Sequence, residues 1–419
     1  MSSREIFVYI SLSDEDHLVG RLWCHYRKGR ESATFEYEPS WLQHPEKFAL
    51  EPALSLTSGA FHTQADQLLF GAIGDSAPDR WGRVLMKRAE ASRARAAKEM
   101  SRTLMEADYL LGVNDFSRQG ALRFSETEGG PFLAPADEKS VPPLVDLPRL
   151  LSATERFLTD DENAEDLRLL LAPGSSLGGA RPKASVKDQD NNLAIAKFPR
   201  KDDDVNVVAW EAVALTLAAK AGISVPKWRL NTILGKPVLV IQRFDRVGTE
   251  RIPFLSAMSM LGARDNEQHS YLEIVDALRQ FGCRPEQDMA ELWRRVVFSV
   301  LISNTDDHLR NHGFVYERGL GWCLSPVYDV NPTPLDVKPR ILTTLIDEHD
   351  GTASLELAFS VAPYFGLNKG KAAEIAKEVG LAVQQWRDVA SQLGLRGQEI
   401  NSMATAFEHE DLVKAIQSD

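Results

Sequence analysis

The stretch "ISNTDDHLRNHG", Ile302 to Gly313, concentrates two acids, two histidines and two asparagines in twelve residues. Kinase catalytic loops need an acid beside the hydroxyl nucleophile and an asparagine five residues later that binds magnesium. Asp306 and Asn311 have this spacing, whereas Asp307 does not. A second magnesium carboxylate should come from a later segment, and "SPVYDVNP" supplies Asp329. The spacing therefore predicts a set of oxygen ligands that binds Mg²⁺ and handles a proton.

The two histidines of this stretch allow a different interpretation. His308 and His312 are four residues apart and could share one helix face, as in the HExxH zinc proteases. In "HLRNH" Leu309 takes the position of the glutamate that acts as general base, which disfavours zinc chemistry. We expect His308 to fix the loop by hydrogen bonding and His312 to lie on the surface. A plain polar helix cap would leave the glycine-rich stretch, a later strand lysine and Asp329 unrelated to this loop, and their joint order disfavours it.

A second informative stretch is "APGSSLGGARPKASVKDQDNNLAIAKFPR", Ala172 to Arg200. Its glycines allow a tight turn and a close approach to an anion, and its serines add hydroxyl donors; these residues are Gly174, Ser175, Ser176, Gly178 and Gly179. A Gly-Gly turn leading into a hairpin explains the glycines equally well, and no Gly-Lys-Ser/Thr follows as in a P-loop. The rest predicts two strands joined by an Asp-Asn-rich turn, with Lys197 emerging from an apolar strand. That lysine either contacts a ligand or extends into solvent.

The segments that follow agree in order with a kinase. "VVAWEAVALTLAAKAGI" is an apolar helix with one acid, Glu211, near its start. This acid either favours the helix dipole or pairs with Lys197, like the strand-lysine and helix-glutamate pair of protein kinases. "GKPVLVIQRFDR" then predicts an apolar strand that ends at Gln242, Arg243 and Phe244. A kinase hinge offers backbone groups to adenine at this place.

Length and composition predict the organisation of the chain. A chain of 419 residues, 43% hydrophobic and 26% charged, is typical of a soluble globular protein with two or three domains. We predict an antiparallel meander over residues 5–38, helices over 64–111, a Gly- and Pro-rich loop over 125–143, a helix over 147–158, and mainly helices from residue 270 onward. The predicted domains are 1–124, a linker over 125–146, a small lobe over 147–245 and a helical lobe over 246–419.

Charge and cysteine content narrow the function classes. The net charge of −12 repels a phosphate backbone, so contact with nucleic acid would need a local patch or a partner. The basic stretch Lys87–Arg102 predicts either a solvated helix face or a surface for an acidic partner or DNA. Cys24, Cys283 and Cys323 are odd in number and lack CxxC spacing, which predicts reduced thiols. Without a signal peptide or a run of eighteen apolar residues, we expect a cytoplasmic protein that does not bind a membrane.

Taken together, these motifs resemble a known family. "SSLGGARPK", "NTDDHLRN" and "PVYD" are similar to signature segments of the HipA family of serine/threonine kinases, the toxins of bacterial type II toxin–antitoxin systems. "LVGRLW" and "PDRWGR", Pro78 to Arg83, resemble the N-terminal domain of that family. The resemblance implies an α+β fold: a protein-kinase-like two-lobed core with an N-terminal antiparallel β/α domain and an all-helical C-terminal lobe.

The resemblance also implies the cofactors, ATP and Mg²⁺, and the roles of individual residues. Asp306 would be the catalytic base, assisted by Lys197 and His308, and Asn311 with Asp329 would hold Mg²⁺. The residues expected to contact ATP are Gly178, Gly179, Ala180, Arg181, Pro182, Lys183, Lys197, Gln242, Arg243, Phe244, Asp306, Asp307, His308, Tyr328 and Asp329. Ser176, or its neighbour Ser175, would be autophosphorylated, which would place like charge beside the triphosphate and switch the enzyme off.

The implied activity is transfer of the ATP γ-phosphoryl group to a protein serine or threonine, on a translation component such as an aminoacyl-tRNA synthetase. The implied partners are a helix-turn-helix antitoxin of the HipB type and, through it, operator DNA. Two alternatives stay open on the same scaffold: a catalytically silent corepressor that binds antitoxin and operator, and a small-molecule kinase.

Overall fold

The computed structural model describes residues 2–65, 67–133, 141–174 and 179–418. The chain forms two compact units: the first unit comprises Met1–Asp202 and Asn231–Leu255, and the second comprises Asp203–Leu230 and Ser256–Asp419. Antiparallel sheets together with many helices confirm the predicted α+β class. The predicted domain ranges 1–124, 125–146, 147–245 and 246–419 stay a prediction, because a division by compactness does not test them.

The first unit begins with an antiparallel sheet in the strand order β4–β3–β2–β1–β5. Its strands are β1 (Ser2–Leu12), β2 (Glu15–Arg27), β3 (Arg30–Tyr37), β4 (Ala60–His62) and β5 (Leu122–Ser125). The turn between β1 and β2 holds Ser13 and Asp14 at φ of 49° and 62°, the left-handed pair that suits the twist of a tight hairpin. The meander predicted over residues 5–38 is confirmed.

Helices follow this sheet in the first unit. They are α1 (Pro39–Gln43), α2 (Gly71–Gly74), α3 (Arg80–Ala97), α4 (Glu106–Gly112), α5 (Leu147–Leu158) and α6 (Ala164–Gly174), and α5 confirms the helix predicted over 147–158. The basic stretch lies largely on α3, where Arg88 pairs with Asp160 and Glu162, and Arg93 pairs with Glu90. These ion pairs within the chain favour the solvated-face interpretation, and the partner surface stays a prediction.

A second antiparallel sheet of the first unit has the strand order β6–β7–β9–β8. Its strands are β6 (Lys183–Lys187), β7 (Leu193–Lys197), β8 (Trp228–Ile233) and β9 (Lys236–Gln242); the short strands β10 (Arg246–Val247), β11 (Glu250–Arg251) and β12 (Phe254–Ser256) follow. The predicted Asp-Asn-rich turn is confirmed, because the Asp188 carboxylate accepts the N–H groups of Asp190 (2.9 Å) and Asn192 (2.8 Å). Apolar residues of β6, β7 and β9 form one core with α3, α5 and α6.

The second unit is mainly helical, as predicted from residue 270 onward. Its helices are α7 (Val207–Lys220), α8 (Ala257–Met260), α9 (Tyr271–Phe281), α10 (Pro285–Leu301), α11 (Leu355–Val361), α12 (Lys369–Val383), α13 (Trp386–Gln392), α14 (Gly397–Ser402), α15 (Ala404–Phe407) and α16 (Glu410–Ile416). A hairpin of β13 (Gly313–Glu317) and β14 (Gly321–Leu324) interrupts them. Across the ranges that the structure describes, no helix is both long and apolar enough to cross a membrane.

One cysteine prediction is wrong. Cys283 and Cys323 form a disulfide, and Cys24 is a free thiol. The two partners meet because Cys283 follows α9 and its N–H donates to the carbonyl of Trp322 in β14, at 2.8 Å. Forty residues separate the two cysteines, and their closeness depends on this tertiary pairing, which spacing rules do not detect.

Candidate functional site

The loop after α10 places an exposed acid on a fixed backbone. Its turns are closed by the hydrogen bonds from His308 N–H to Asp306 O (2.9 Å) and from Asn311 N–H to His308 O (2.8 Å). The buried Asn311 donates from Nδ2 to the Asp306 carbonyl, at 3.0 Å. The Asp306 side chain itself is 74% exposed. The structure therefore brings the predicted acid and amide together, with the amide holding the backbone and the carboxylate facing solvent.

The neighbouring carboxylate, Asp307, points in the opposite direction. It is buried, accepts hydrogen bonds from the hydroxyls of Tyr271 and Ser299 (3.1 Å from Ser299), and lies 3.1 Å from Nε2 of His312. Burial by itself would raise the pKa of Asp307, but the charge of His312 and the hydrogen bonds lower it below its ordinary value. The pKa of Tyr271 is raised far above its usual range by burial and by this carboxylate.

One prediction changes as a result, and a second stays open. His312 is not a surface residue, because only 2% of its side chain is exposed and it is a member of the Asp307 network. The Asp307 carboxylate is engaged inside the second unit by Tyr271 and Ser299, and the predicted contact of this residue with ATP stays a prediction. Both side chains hold the loop that presents Asp306.

His308 closes the loop through its backbone. Its Nδ1 is buried and has no hydrogen-bond partner within the described ranges, whereas its backbone N–H donates to the carbonyl of Asp306 at 2.9 Å, so the predicted hydrogen bonding of His308 within the loop is made by the backbone. Its backbone carbonyl also closes the turn to Asn311. The side chains of Asp307 and His312 anchor the loop in addition to these backbone bonds.

The segment that follows β14 is held against the same loop. Asp329 has a left-handed backbone, with φ of 55°, and is half-buried. On its N-terminal side, the Tyr328 hydroxyl donates to the carbonyl of Arg310 (2.8 Å). On its C-terminal side, the N–H of Asn331 donates to Oδ1 of Asn304 (3.2 Å). These contacts bring the segment that carries Asp329 next to the loop of Asp306 and Asn311.

Sequence reasoning missed a cation at this loop. Lys338 lies with Nζ 4.0 Å from Oδ1 of Asp306 and 3.4 Å from the carbonyl of Thr305. Its segment is anchored by Arg340, which donates to the carbonyl of Val300 at 3.0 Å. A single lysine in a proline-rich loop has no spacing signal that could have identified it.

In the first unit, the predicted phosphate-binding lysines lie opposite each other. Lys183 at the start of β6 is paired in register with Lys197 at the end of β7. Lys183 is buried and Lys197 is half-buried. Before them, Gly179 has a left-handed backbone (φ 89°), and the carbonyl of Ala180 accepts a hydrogen bond from Arg200 (2.9 Å). Gly178, Ser175 and Ser176, for which phosphate binding and autophosphorylation were predicted, lie outside the described residues.

The predicted hinge is partly engaged in other contacts. The N–H of Arg243 donates to the carbonyl of Leu193 at 3.0 Å, so it continues the sheet and is not free for adenine. Its guanidinium turns inward and donates to Asp245 (2.7 Å from Nε). Gln242 ends β9, and the ring of Phe244 lies 6.1 Å from that of Phe254. The N–H and the guanidinium of Arg243 are therefore structural, while adenine contacts of Gln242, Arg243 and Phe244 stay a prediction.

Arg243 belongs to a buried ionic group, here called the arginine cluster, that sequence reasoning also missed. Its members are Asp115, Arg118, Arg123, Arg243, Asp245, Arg246 and Arg251. Burial would raise the pKa of Asp245, but the charges of Arg243 and Arg246 hold it far below its ordinary value. Burial lowers the pKa of Arg118 to about 9. The members come from two distant parts of the sequence, so no local pattern announces them.

The comparisons with known proteins identify the family. The model for the HipA-like C-terminal domain matches residues 175–387, just over half of the chain. The chain belongs to the HipA-like family. This match includes β6, β7, the loop with Asp306 and Asn311, and the segment with Asp329, so the family confirms the resemblance seen in the sequence motifs.

Relatives of this HipA-like chain are named as kinases. A Haemophilus influenzae protein named "Putative kinase" is 26% identical over 216 residues, which cover 45% of this chain and 62% of that protein. "Putative kinase Y4mE" of Sinorhizobium fredii is 25% identical over 194 residues, which cover 40% of this chain and 44% of that protein. The chain spans about half the length of the curated relatives it matches.

A solved structure supports the fold over the whole length of the HipA-like chain. It is HipA from the Shewanella oneidensis MR-1 toxin–antitoxin system, in a complex with HipB and its operator DNA. The TM-score is 0.68 at 15% identity, with 98% of this chain and 96% of that chain covered. This match confirms the kinase-like two-lobed fold predicted from sequence.

Proposed function

We propose that this HipA-like protein is an ATP- and Mg²⁺-dependent protein serine/threonine kinase. The observation that carries the proposal is the exposed Asp306 carboxylate on a loop fixed by Asn311 and by the buried Asp307 network. Such a carboxylate can orient an acceptor hydroxyl and take its proton as the hydroxyl oxygen attacks the γ-phosphorus of ATP. His308 would contribute through its backbone turn.

The metal ligands fit magnesium. Asn311 donates through Nδ2 to the Asp306 carbonyl, which leaves the amide oxygen as its ligand atom, and Asp329 adds a carboxylate from a segment held against the loop. Oxygen ligands of this kind suit Mg²⁺, which neutralises phosphate charge when bound. Tyr328 would keep Asp329 in place through its hydrogen bond to Arg310.

The phosphate-binding groups would come from β6, β7 and the segment before them. Lys183 and Lys197 would donate from their ammonium groups to phosphate oxygens. Backbone amides of Gly178, Gly179 and Ala180, with Arg181 and Pro182, would wrap the phosphates, while Gln242 and Phe244 would contact adenine. Phosphorylation of Ser176 or Ser175 would place nearly two negative charges beside the triphosphate and weaken ATP binding.

The family supports a proposal for the acceptor and for the partners. We propose a translation component such as an aminoacyl-tRNA synthetase as substrate, and a helix-turn-helix antitoxin of the HipB type as partner. Operator DNA would be bound mainly through that antitoxin, because the chain carries a net charge of −12. The complex of the Shewanella HipA with HipB and operator DNA supports this assignment.

The test is phosphoryl transfer by purified protein incubated with labelled ATP and Mg²⁺, with modified residues mapped by mass spectrometry. Asp306→Ala should lower transfer by at least about 100-fold, since it removes the general base. Asp265→Ala is the matched control, because Asp265 is an exposed acid that pairs with Arg310 of the same loop. Transfer by Asp306→Ala at the wild-type rate would refute the assignment.

A catalytically silent corepressor is the second candidate, favoured by the operator complex of the Shewanella protein. It predicts ATP binding without transfer, and operator affinity that is equal in wild type and Asp306→Ala when antitoxin is present. A small-molecule kinase would transfer phosphate to a metabolite and leave no phosphorylated protein in the same assay.

A further inference from the structure

The motif "PDRWGR", Pro78 to Arg83, has no part in the proposed chemistry, yet it lies against the predicted phosphate-binding strands. The Asp79 carboxylate accepts the N–H groups of Trp81 (3.1 Å) and Gly82 (3.3 Å) and so begins α3. This cap fixes Trp81 in the first turn of the helix, where the side chain is only 3% exposed.

Trp81 is bonded to the segment that leads into β6. Its indole Nε1–H donates to the carbonyl of Lys183 at 2.9 Å, and its backbone N–H lies 3.4 Å from the carbonyl of Gly179. Gly174, the last residue of α6, fits closely beside this contact. A Cβ there would lie 3.2 Å from Nε1 of Trp81 and 2.6 Å from Cδ1 of Leu85.

The ring and the N–H of Trp81 have separable roles. The ring packs edge-on against Phe157, with centroids 5.2 Å apart, inside the core that β6 shares with α5 and α6. A phenylalanine ring can retain this packing, whereas the hydrogen bond to Lys183 requires the indole N–H. Because Lys183 is the register partner of Lys197, a displacement of the start of β6 would reach both lysines.

We infer that Trp81 is a positioning residue for the ATP phosphates, acting through the backbone of Lys183 on the Lys183–Lys197 pair. This inference rests on the proposed function. It assigns to α3 of the N-terminal part the task of holding a phosphate-binding strand in place.

The test compares Trp81→Phe with Trp41→Phe in the full-length protein. Trp41 is 1% exposed in α1, and its Nε1 has no hydrogen-bond partner in the part of the chain that is described, so its substitution removes an N–H without removing a bond. We expect Trp81→Phe to raise the Kd for Mg·ATP and the KM for ATP about fivefold, the effect of one lost hydrogen bond. Its kcat should stay within about twofold, and Trp41→Phe should match wild type in all three constants.

Gly174→Ala is a second variant, since its methyl group would crowd the indole without removing it. A higher KM for ATP with a retained kcat in this variant would support the inference. Unchanged ATP constants in a folded Trp81→Phe protein would overturn it and leave Trp81 a purely structural residue. Absence of ATP binding by the wild-type protein would overturn the proposed function and this inference together.

Discussion

Two buried aspartates, Asp245 in the first unit and Asp307 in the second, hold functional regions in different ways. Burial alone would raise the pKa of each carboxyl group. Their partners have the larger effect, so both pKa values lie below the ordinary value. Asp245 is surrounded by permanent cations, with Arg243 at 2.7 Å and Arg246 at 2.9 Å. Asp307 has a titratable histidine and two hydroxyl groups. Asp245 therefore neutralises buried arginines, whereas Asp307 is held by hydroxyl groups and one histidine.

The difference explains what each region leaves for chemistry. The charged side chains of Arg243 and Arg246, on both sides of Asp245, turn inward and pair with its carboxylate. Residues 243–246 therefore expose almost no charge to solvent. Beside Asp307, the carboxylate of Asp306 remains 74% exposed. The hydroxyl groups and the histidine around Asp307 satisfy that carboxylate without engaging Asp306. Around Asp245, the neighbouring charged side chains are themselves paired inside the protein.

The largest expected effect is the loss of stability when the negative charge of Asp245 is removed. Asp245→Asn removes the negative charge and leaves Arg243 and Arg246 buried, with side chains 3% and 5% exposed, beside a neutral amide. We expect the free energy of unfolding to fall by about 3–5 kcal/mol, because an uncompensated buried cation is strongly destabilising. Denaturant unfolding of the full-length protein measures this loss.

The rim of the same cluster provides the control. Asp16 contacts Arg123 at 2.7 Å with 32% of its side chain exposed, so Asp16→Asn should lower the free energy of unfolding by less than about 1 kcal/mol. Equal losses in the two variants would mean that Asp245 is an ordinary ion pair and would remove the basis of the comparison.

A second effect comes from Glu51, a buried acid in the first unit whose pKa is set mainly by burial. Burial raises its pKa to about 7, although the N–H of Ala72 donates to it. The folded chain therefore binds a proton that the unfolded chain releases, and the contribution of Glu51 to stability is full below about pH 4.5 and lost as the pH rises to about 7.

Between about pH 4.5 and pH 7 the free energy of unfolding should fall by about 3 kcal/mol, because one pKa unit corresponds to about 1.4 kcal/mol. Glu51→Gln should abolish it while retaining an acceptor for the Ala72 N–H. Unfolding curves at several pH values measure the slope for both proteins. If the free energy of unfolding of Glu51→Gln depended on pH as strongly as that of the wild type, a group other than Glu51 would cause the dependence. The comparison of buried acids by their partners would then not extend to Glu51.

The sequence predicted those parts of the fold and site that depend on local pattern. The alternating strands of the meander, the turn with Asp188, and the five-residue separation of Asp306 and Asn311 all follow from short-range rules and are present in the structure. Asp329 was identified by its place after an apolar turn, and its segment contacts the loop. Family resemblance added the two-lobed architecture.

The rest depends on contacts between residues that are distant in sequence. Tyr271 of α9 and Ser299 of α10 decide whether Asp307 or Asp306 faces solvent. Both residues lie outside the sequence motif that contains the two aspartates. The inward direction of Arg243 depends in the same way on Asp245 and the carbonyl of Ser117. Side-chain direction within a correctly predicted segment was therefore beyond the reach of spacing arguments.

The smallest expected effect compares the adjacent aspartates of the loop directly. Asp307→Asn turns an N–H₂ group toward a donor in the buried network and should lower the free energy of unfolding by about 2 kcal/mol. Asp306→Asn alters an exposed carboxylate and should change it by less than about 0.5 kcal/mol. Denaturant unfolding of both variants at neutral pH tests the pair, and the phosphoryl-transfer assay should rank them in the reverse order. If Asp306→Asn were the more destabilised protein, its carboxylate would be a structural anchor, and a base for the acceptor hydroxyl would have to be sought elsewhere.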